Sequence, residues 1–241
     1  MSVRINYINP FGNNETNALI ESSLAPFVAS GTEVVFTSTP EVPERRDPYF
    51  SEYLVVKAVE AAAAEGFDGV IIGCCYDPGV RVARGKVDIP VVGALEACLQ
   101  LAPFYGRDFA IVTDYHQAAS FMADLIAVNG TNRCRELTAI DMHTPEMLRD
   151  PASAGEKAVG LASKLIQDDA IEAVVIACTM VGACVETWLR ENPESRALPL
   201  IDPNVSALQI TESLISLRRN GAYSVGRRGY YGKSDTLSKV R

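Results

Sequence analysis

Short runs of consecutive apolar residues alternate along this chain with longer stretches whose apolar positions recur every three to four residues. Val3 to Ile8 and Thr32 to Thr37 read as strands, and Asn14 to Ala29 between them carries helical spacing. Tyr53 to Glu65 predicts a second helix with an alanine-rich face that ends near Gly66, and Gly69 to Gly73 a third, fully apolar strand. This is the βαβαβ grammar of a parallel, doubly wound sheet, and it predicts an α/β fold.

After a turn at Asp77-Pro78-Gly79 the chain runs through a helix to Gly85 and a short strand at Ile89 to Val92, and Gly93 opens the stretch Ala94 to Leu101. The pattern then starts again. Phe109 to Thr113 predicts a strand, His116 to Val128 a helix, Arg135 to Ile140 a strand, Gly155 to Asp168 a helix and Ala173 to Ala177 a strand. A helix at Val181 to Arg190, a strand at Leu198 to Ile201 and a closing helix at Ser206 to Arg219 follow. The repetition predicts two similar Rossmann-like lobes with parallel sheets related by pseudo-twofold symmetry. Residues 1–95, completed by the helix 206–219, form the first lobe and residues 96–205 the second. Residues 220–241, rich in Gly, Tyr and Arg, read as an extended or flexible tail.

Composition narrows the class. At 241 residues, 48% hydrophobic, the chain can bury a substantial core. No apolar run approaches the roughly 18 residues that cross a bilayer, and the amino terminus leads into a strand without the apolar core of a signal peptide. The expectation is a cytoplasmic protein with no membrane partner. Its net charge is -8, although residues 218–241 hold seven Lys or Arg against one acid, Asp235, so the body is acidic and offers no nucleic-acid surface. The two histidines, His116 and His143, lack metal-ligand spacing, and no GxGxxG nucleotide fingerprint is present.

The chemistry is in the cysteines. Cys74 and Cys178 end two equivalent apolar strands, Gly69 to Gly73 and Ala173 to Ala177. Ligands of open α/β sheets bind at that end, so a repeated strand with a repeated thiol suggests one site with a sulfur on each side. Cysteine at such a position is more often structural, but the same setting occurs twice. A thiol before a helix start lies near free N–H groups and the positive end of the helix dipole, which lower its pKa. Two thiols flanking one carbon can racemise it without a cofactor: a thiolate removes the proton and a thiol on the far face returns one. The carbanion between them needs hydrogen-bond donors, for which Asn9, Asn13, Asn14 and Thr113 are candidates. Cys98, Cys134 and Cys184 read as core residues, and a cysteine metal site is not expected.

The residues Ile8-Asn9-Pro10, Thr16, Gly31-Thr32-Glu33-Val34, Cys74 with Asp77-Pro78-Gly79, Pro90-Val91-Val92-Gly93, Val112-Thr113 and Cys178-Thr179-Met180 resemble the aspartate/glutamate racemase superfamily, and within it the hydantoin and allantoin racemase branch. The resemblance spans roughly residues 3–215 and is most specific at Cys-x-x-Asp-Pro-Gly. It implies two α/β lobes with the active site between them, catalytic roles for Cys74 and Cys178, and neither metal nor nucleotide cofactor. Asn9, Pro10, Asn13, Asn14, Cys75, Tyr76, Thr113, Thr179 and Met180 would line the substrate site. Here Cys75 stands where the family usually has an aromatic residue and Tyr76 where it usually has glycine. Phe11-Gly12-Asn13-Asn14 replaces the usual Asn, Thr and Ser.

The expected activity is racemisation of 5-substituted hydantoins or allantoin, small molecules whose C5 hydrogen lies beside a carbonyl. Three alternatives share the scaffold: a maleate-type cis-trans isomerase, an arylmalonate-type decarboxylase, and a non-catalytic ligand-binding protein. The decarboxylase branch characteristically needs one thiol rather than two. A homo-oligomer is expected, with the Pro-rich segment 40–48 and the basic Tyr230-Tyr231 tail as contact surfaces.

Overall fold

A computed structural model describes residues 2–12, 14–40, 48–129 and 131–232. In chain order the strands and α-helices are β1 (Val3–Asn9), α1 (Asn17–Leu24), β2 (Thr32–Ser38), α2 (Pro48–Ala64), β3 (Gly69–Ile72), α3 (Val80–Arg84), β4 (Val91–Gly93) and α4 (Ala94–Tyr105). There follow β5 (Phe109–Thr113), α5 (His116–Val128), β6 (Cys134–Ala139), α6 (Thr144–Arg149), α7 (Pro151–Leu165), β7 (Ala173–Ile176), α8 (Thr179–Glu191), β8 (Leu200–Ile201) and α9 (Pro203–Arg219). Every predicted strand is present. The short helix α6 was not anticipated, and α7 begins at Pro151 rather than Gly155, started by Asp150, whose side chain accepts from the Ser153 N–H.

Among the described residues eight strands form two four-stranded sheets, in the orders β2-β1-β3-β4 and β6-β5-β7-β8. All pairings are parallel. The repeated grammar of the sequence thus folds as a repeated strand order. The central strands β3 and β7 are buried along their whole length, which is why they read as unbroken apolar runs rather than alternating ones.

Each sheet is covered on both faces. Val70 and Ile72 of β3 pack with Val55, Val59 and Ala83 of α2 and α3, and Ile71 faces Ala207, Leu208 and Ile215 of α9. In the second sheet Val174 and Ile176 meet α7 and α8 through Ala158, Ala162 and Val181. Ala173 and Val175 meet Leu95, Cys98 and Ala102 of α4 and Met122 of α5. Helix α4 follows the first sheet in sequence and covers the second, and α9 follows the second and covers the first. The two halves are cross-braced, which holds their strand ends in fixed relation. Among the described residues no helix is long and apolar enough to cross a membrane.

Beyond α9 the chain stays attached as far as it is described. The Arg227 guanidinium donates to the carbonyls of Arg84 (2.9 Å), Tyr231 (3.2 Å) and Val87 and pairs with Asp88. Residues 220–232 are therefore an arm laid on the first half, and 233–241, like most of the predicted contact segment 40–48, lie outside the described residues.

Candidate active site

Strand β3 leads through Gly73 into Cys74, and the chain then turns sharply: the Asp77 N–H donates to the Cys74 carbonyl at 3.0 Å. Asp77 has φ 46°, a left-handed conformation that Asp tolerates better than most residues. Its carboxylate reaches the start of α4, where Oδ1 accepts from the Leu95 N–H (3.0 Å) and Oδ2 from the Glu96 N–H (2.8 Å). Two otherwise unpaired helix donors are satisfied from another loop. This explains the glycine at 93, because a Cβ there would lie 2.4 Å from Asp77 Cγ. The Asp-Pro-Gly element thus anchors the Cys74 turn to α4.

Cys178 ends the other central strand and immediately precedes α8. The two thiol segments are joined through buried polar groups. The Thr179 hydroxyl donates to the Gly73 carbonyl at 3.1 Å, the Asn204 amide to the Thr179 carbonyl at 2.9 Å, and the Tyr7 hydroxyl to Asn204 Oδ1 at 2.7 Å. The residue before one thiol is therefore hydrogen-bonded to the residue after the other. Tyr7 also closes over Gly73, where a Cβ would come 2.1 Å from its ring.

The electrostatics differ from the expectation of acidic thiols. Burial pushes the Cys74 thiol up to about 12, and the negative charges of Asp77 and Asp114 act in the same direction; the Tyr76 N–H, 3.4 Å from the sulfur, opposes them. Cys178 is pushed well above the usual range by burial and then by Asp114, against the Val181 and Met180 amides at the start of α8, and Cys74 adds to the rise. The helix terminus acts in the anticipated direction, but burial and acidic neighbours outweigh it. Both thiols rest protonated at neutral pH.

Asp114, just after β5, is the functional candidate that sequence reasoning missed. Its carboxyl is raised by burial and held by the Thr113 hydroxyl, the Tyr115 N–H and the Cys178 thiol. Oδ1 lies 3.0 Å from Thr113 Oγ1 and 3.1 Å from the Tyr115 nitrogen. Among the described residues it is the carboxylate whose charge raises both Cys74 and Cys178. Its signal in the sequence was its place, next to Thr113 at the carboxyl end of a central strand.

The remaining predicted residues divide. Thr113 is fully buried, its hydroxyl shared between Asp114 and the Ala177 carbonyl at 3.1 Å. Thr179 joins the thiol segments, and Tyr76 lies beside Cys74. Met180 packs into the core under α8, and Cys75 turns away into the apolar cluster around α4. Asn9 is buried; its amide donates to Thr16 (3.0 Å) and Asn17 (2.8 Å), and its Oδ1 accepts from the Phe11 N–H (2.9 Å). It shapes the loop that follows Pro10, itself buried. Asn14 is exposed and accepts from Ser38 at 2.7 Å, while Asn13 lies outside the described residues. Among the described residues no cluster of three His, Cys, Asp or Glu side chains could hold a metal ion.

Comparison with known proteins identifies the family. The family model for Asp/Glu/Hydantoin racemase matches residues 5–211. The hydantoin racemase of Paenarthrobacter aurescens is 29% identical over 241 residues, 96% of this chain and 97% of that protein. The hydantoin racemase of Pseudomonas sp. (strain NS671) is 27% identical over 223 residues, 89% of this chain and 87% of its own. The structure of allantoin racemase from Klebsiella pneumoniae superposes with a TM-score of 0.84 at 25% identity, covering 96% of this chain and 94% of that one. With a family model spanning both sheets and relatives alike from end to end, the chain belongs to the Asp/Glu/hydantoin racemase family, and in class it is an isomerase.

Proposed function

We propose that the protein is a cofactor-independent racemase of 5-substituted hydantoins or allantoin, with Cys74 and Cys178 exchanging proton donor and acceptor roles at C5. The observation that carries this reading is the hydrogen bond from Thr179 to the Gly73 carbonyl, which draws the two thiol segments together at the carboxyl ends of equivalent strands.

The chemistry follows from the resting state. With both thiols protonated, the cycle starts when one S–H gives up its proton, and Asp114, which holds the Cys178 thiol, is placed to receive it. The thiolate formed is a strong base because its surroundings disfavour the charge, which suits it to a weakly acidic carbon. It takes the C5 proton on one face, the opposing thiol delivers its own to the other, and the thiolate left there is reprotonated as Asp114 gives up its proton, directly or through solvent. The enolate charge between them spreads over the ring carbonyls and is met by fixed donors.

Substrate charge is the second support. Asp77 and Asp114 both make the surroundings of Cys74 negative. An amino diacid would add like charge to that field, whereas a neutral hydantoin or allantoin ring would not.

The test is solvent deuterium incorporation at C5 and loss of optical rotation, measured on single enantiomers of allantoin and several 5-substituted hydantoins. The expected result is exchange with racemisation by the native protein and loss of racemisation in Cys74→Ser and Cys178→Ser. Absence of exchange on every compound with a folded protein would overturn the assignment.

A further inference from the structure

We propose that Tyr76, Tyr115 and Phe121 form an aromatic wall of the substrate site that admits hydantoins with a flat or apolar C5 substituent and disfavours the ureido group of allantoin; this rests on the racemase reading above.

The wall is built from the Cys74 turn, the segment after β5 and helix α5. Tyr76 follows Cys74 by two residues, and its N–H lies 3.4 Å from the Cys74 sulfur, which fixes the start of its side chain at the thiol. Its ring meets that of Phe121 in α5 edge to face, with centroids 4.8 Å apart and planes at 78°. Its phenol feels Tyr115 and Asp114 electrostatically, and Tyr115 is the sequence neighbour of Asp114, whose charge acts on both thiols. The Tyr115 ring in turn lies 5.1 Å from that of His143. Aromatic residues thus leave both the Cys74 turn and the segment beside Asp114.

Exposure places this cluster at the protein surface rather than in the core. On the same helix Ala118 and Met122 are buried, whereas Phe121 keeps 43% of its surface exposed even with Tyr76 against it. Tyr76 is half-buried at the edge of the apolar cluster under α4 and α5.

The wall's chemistry selects. A ureido group brings a carbonyl and three N–H donors, each needing a partner once removed from water. The wall offers two phenol hydroxyls against these four groups. A benzyl or alkyl substituent needs no partner, and an aromatic one gains the edge-to-face geometry already present in the Tyr76–Phe121 pair.

The experiment compares single enantiomers of 5-benzylhydantoin and allantoin with the native protein and Tyr76→Gly, Tyr76→Phe and Phe121→Ala. It measures kcat/KM for racemisation and, independently, Kd by calorimetry. We expect 5-benzylhydantoin to be favoured by about tenfold or more in both quantities, the worth of one unpaired polar group. That ratio should fall by about tenfold in Tyr76→Gly and in Phe121→Ala and persist in Tyr76→Phe, which keeps the ring. Equal or reversed native affinities, no binding of either compound, or a ratio unmoved in both Tyr76→Gly and Phe121→Ala would overturn the wall. A Kd preference that responds to the variants in a protein that racemises neither compound would keep the wall and overturn the racemase assignment.

Discussion

Asp114 adds to the burial that raises both thiols. Its charge disfavours both thiolates, so Asp114→Asn should lower both thiol pKa values. Alkylation of Cys178 by iodoacetamide at pH 8 should then accelerate, while racemisation falls by about 10²-fold or more, the usual worth of a positioned proton acceptor. Slower alkylation, or unimpaired racemisation, would remove Asp114 from the proton path. In the native protein, modification of Cys74 should keep rising beyond pH 10, since its thiol titrates near 12; a plateau near the free-cysteine value of about 8.5 would contradict the burial argument. At this scale the candidate cysteine pair was legible because it is repeated in a repeated setting. Asp114 was not, because an acid directly after a strand reads equally well as the first residue of a solvated loop. The thiol pKa values were misjudged for a related reason: the helix start is visible in the sequence, and the burial that overrides it is not.

Among the elements, α4 depends on a cap supplied from the Cys74 turn. Gly93→Ala would drive a Cβ into the Asp77 carboxylate. The expected cost is about 1–3 kcal/mol, typical of overpacking a close contact, together with reduced racemisation as the Cys74 turn shifts. Urea unfolding and activity at matched concentration check this, and native stability with native activity would mean that the Asp77 contact does not anchor the turn. The strands were legible because residues buried on both faces of a parallel sheet leave unbroken apolar runs. Helix α6 was missed because six residues beginning Thr144-Pro145 are too few to display a period. The placing of α4 on the second sheet and of α9 back on the first follows the division read from the repeat, in which 206–219 completes the first half and 96–205 forms the second.

For the whole molecule, burial raises Asp77 to about 7 and Asp202 to about 6, above the roughly 3.9 of an unfolded aspartate. A raised pKa means that the folded state holds its proton longer, so the stability associated with it is complete below about pH 4 and is lost as pH rises through 6 to 7. Urea midpoints should show this contribution between pH 4 and 7, on the order of a few kcal/mol. In Asp77→Asn the decline should be shallower, and an unchanged slope would show that Asp77 does not titrate with folding. The arm fixed by Arg227 is a second support. Arg227→Ala removes donors from the Arg84 and Val87 carbonyls and should cost about 1–3 kcal/mol, read from the same denaturation curves. The central claim is that two thiols serve opposite faces of one carbon. It is tested most directly by C5 hydrogen–deuterium exchange on each enantiomer separately in Cys74→Ser and Cys178→Ser. Each variant should lose racemisation yet retain exchange with one enantiomer, and the retained hand should be opposite in the two. Racemisation persisting in either variant, or exchange retained with the same hand in both, would contradict a two-thiol mechanism.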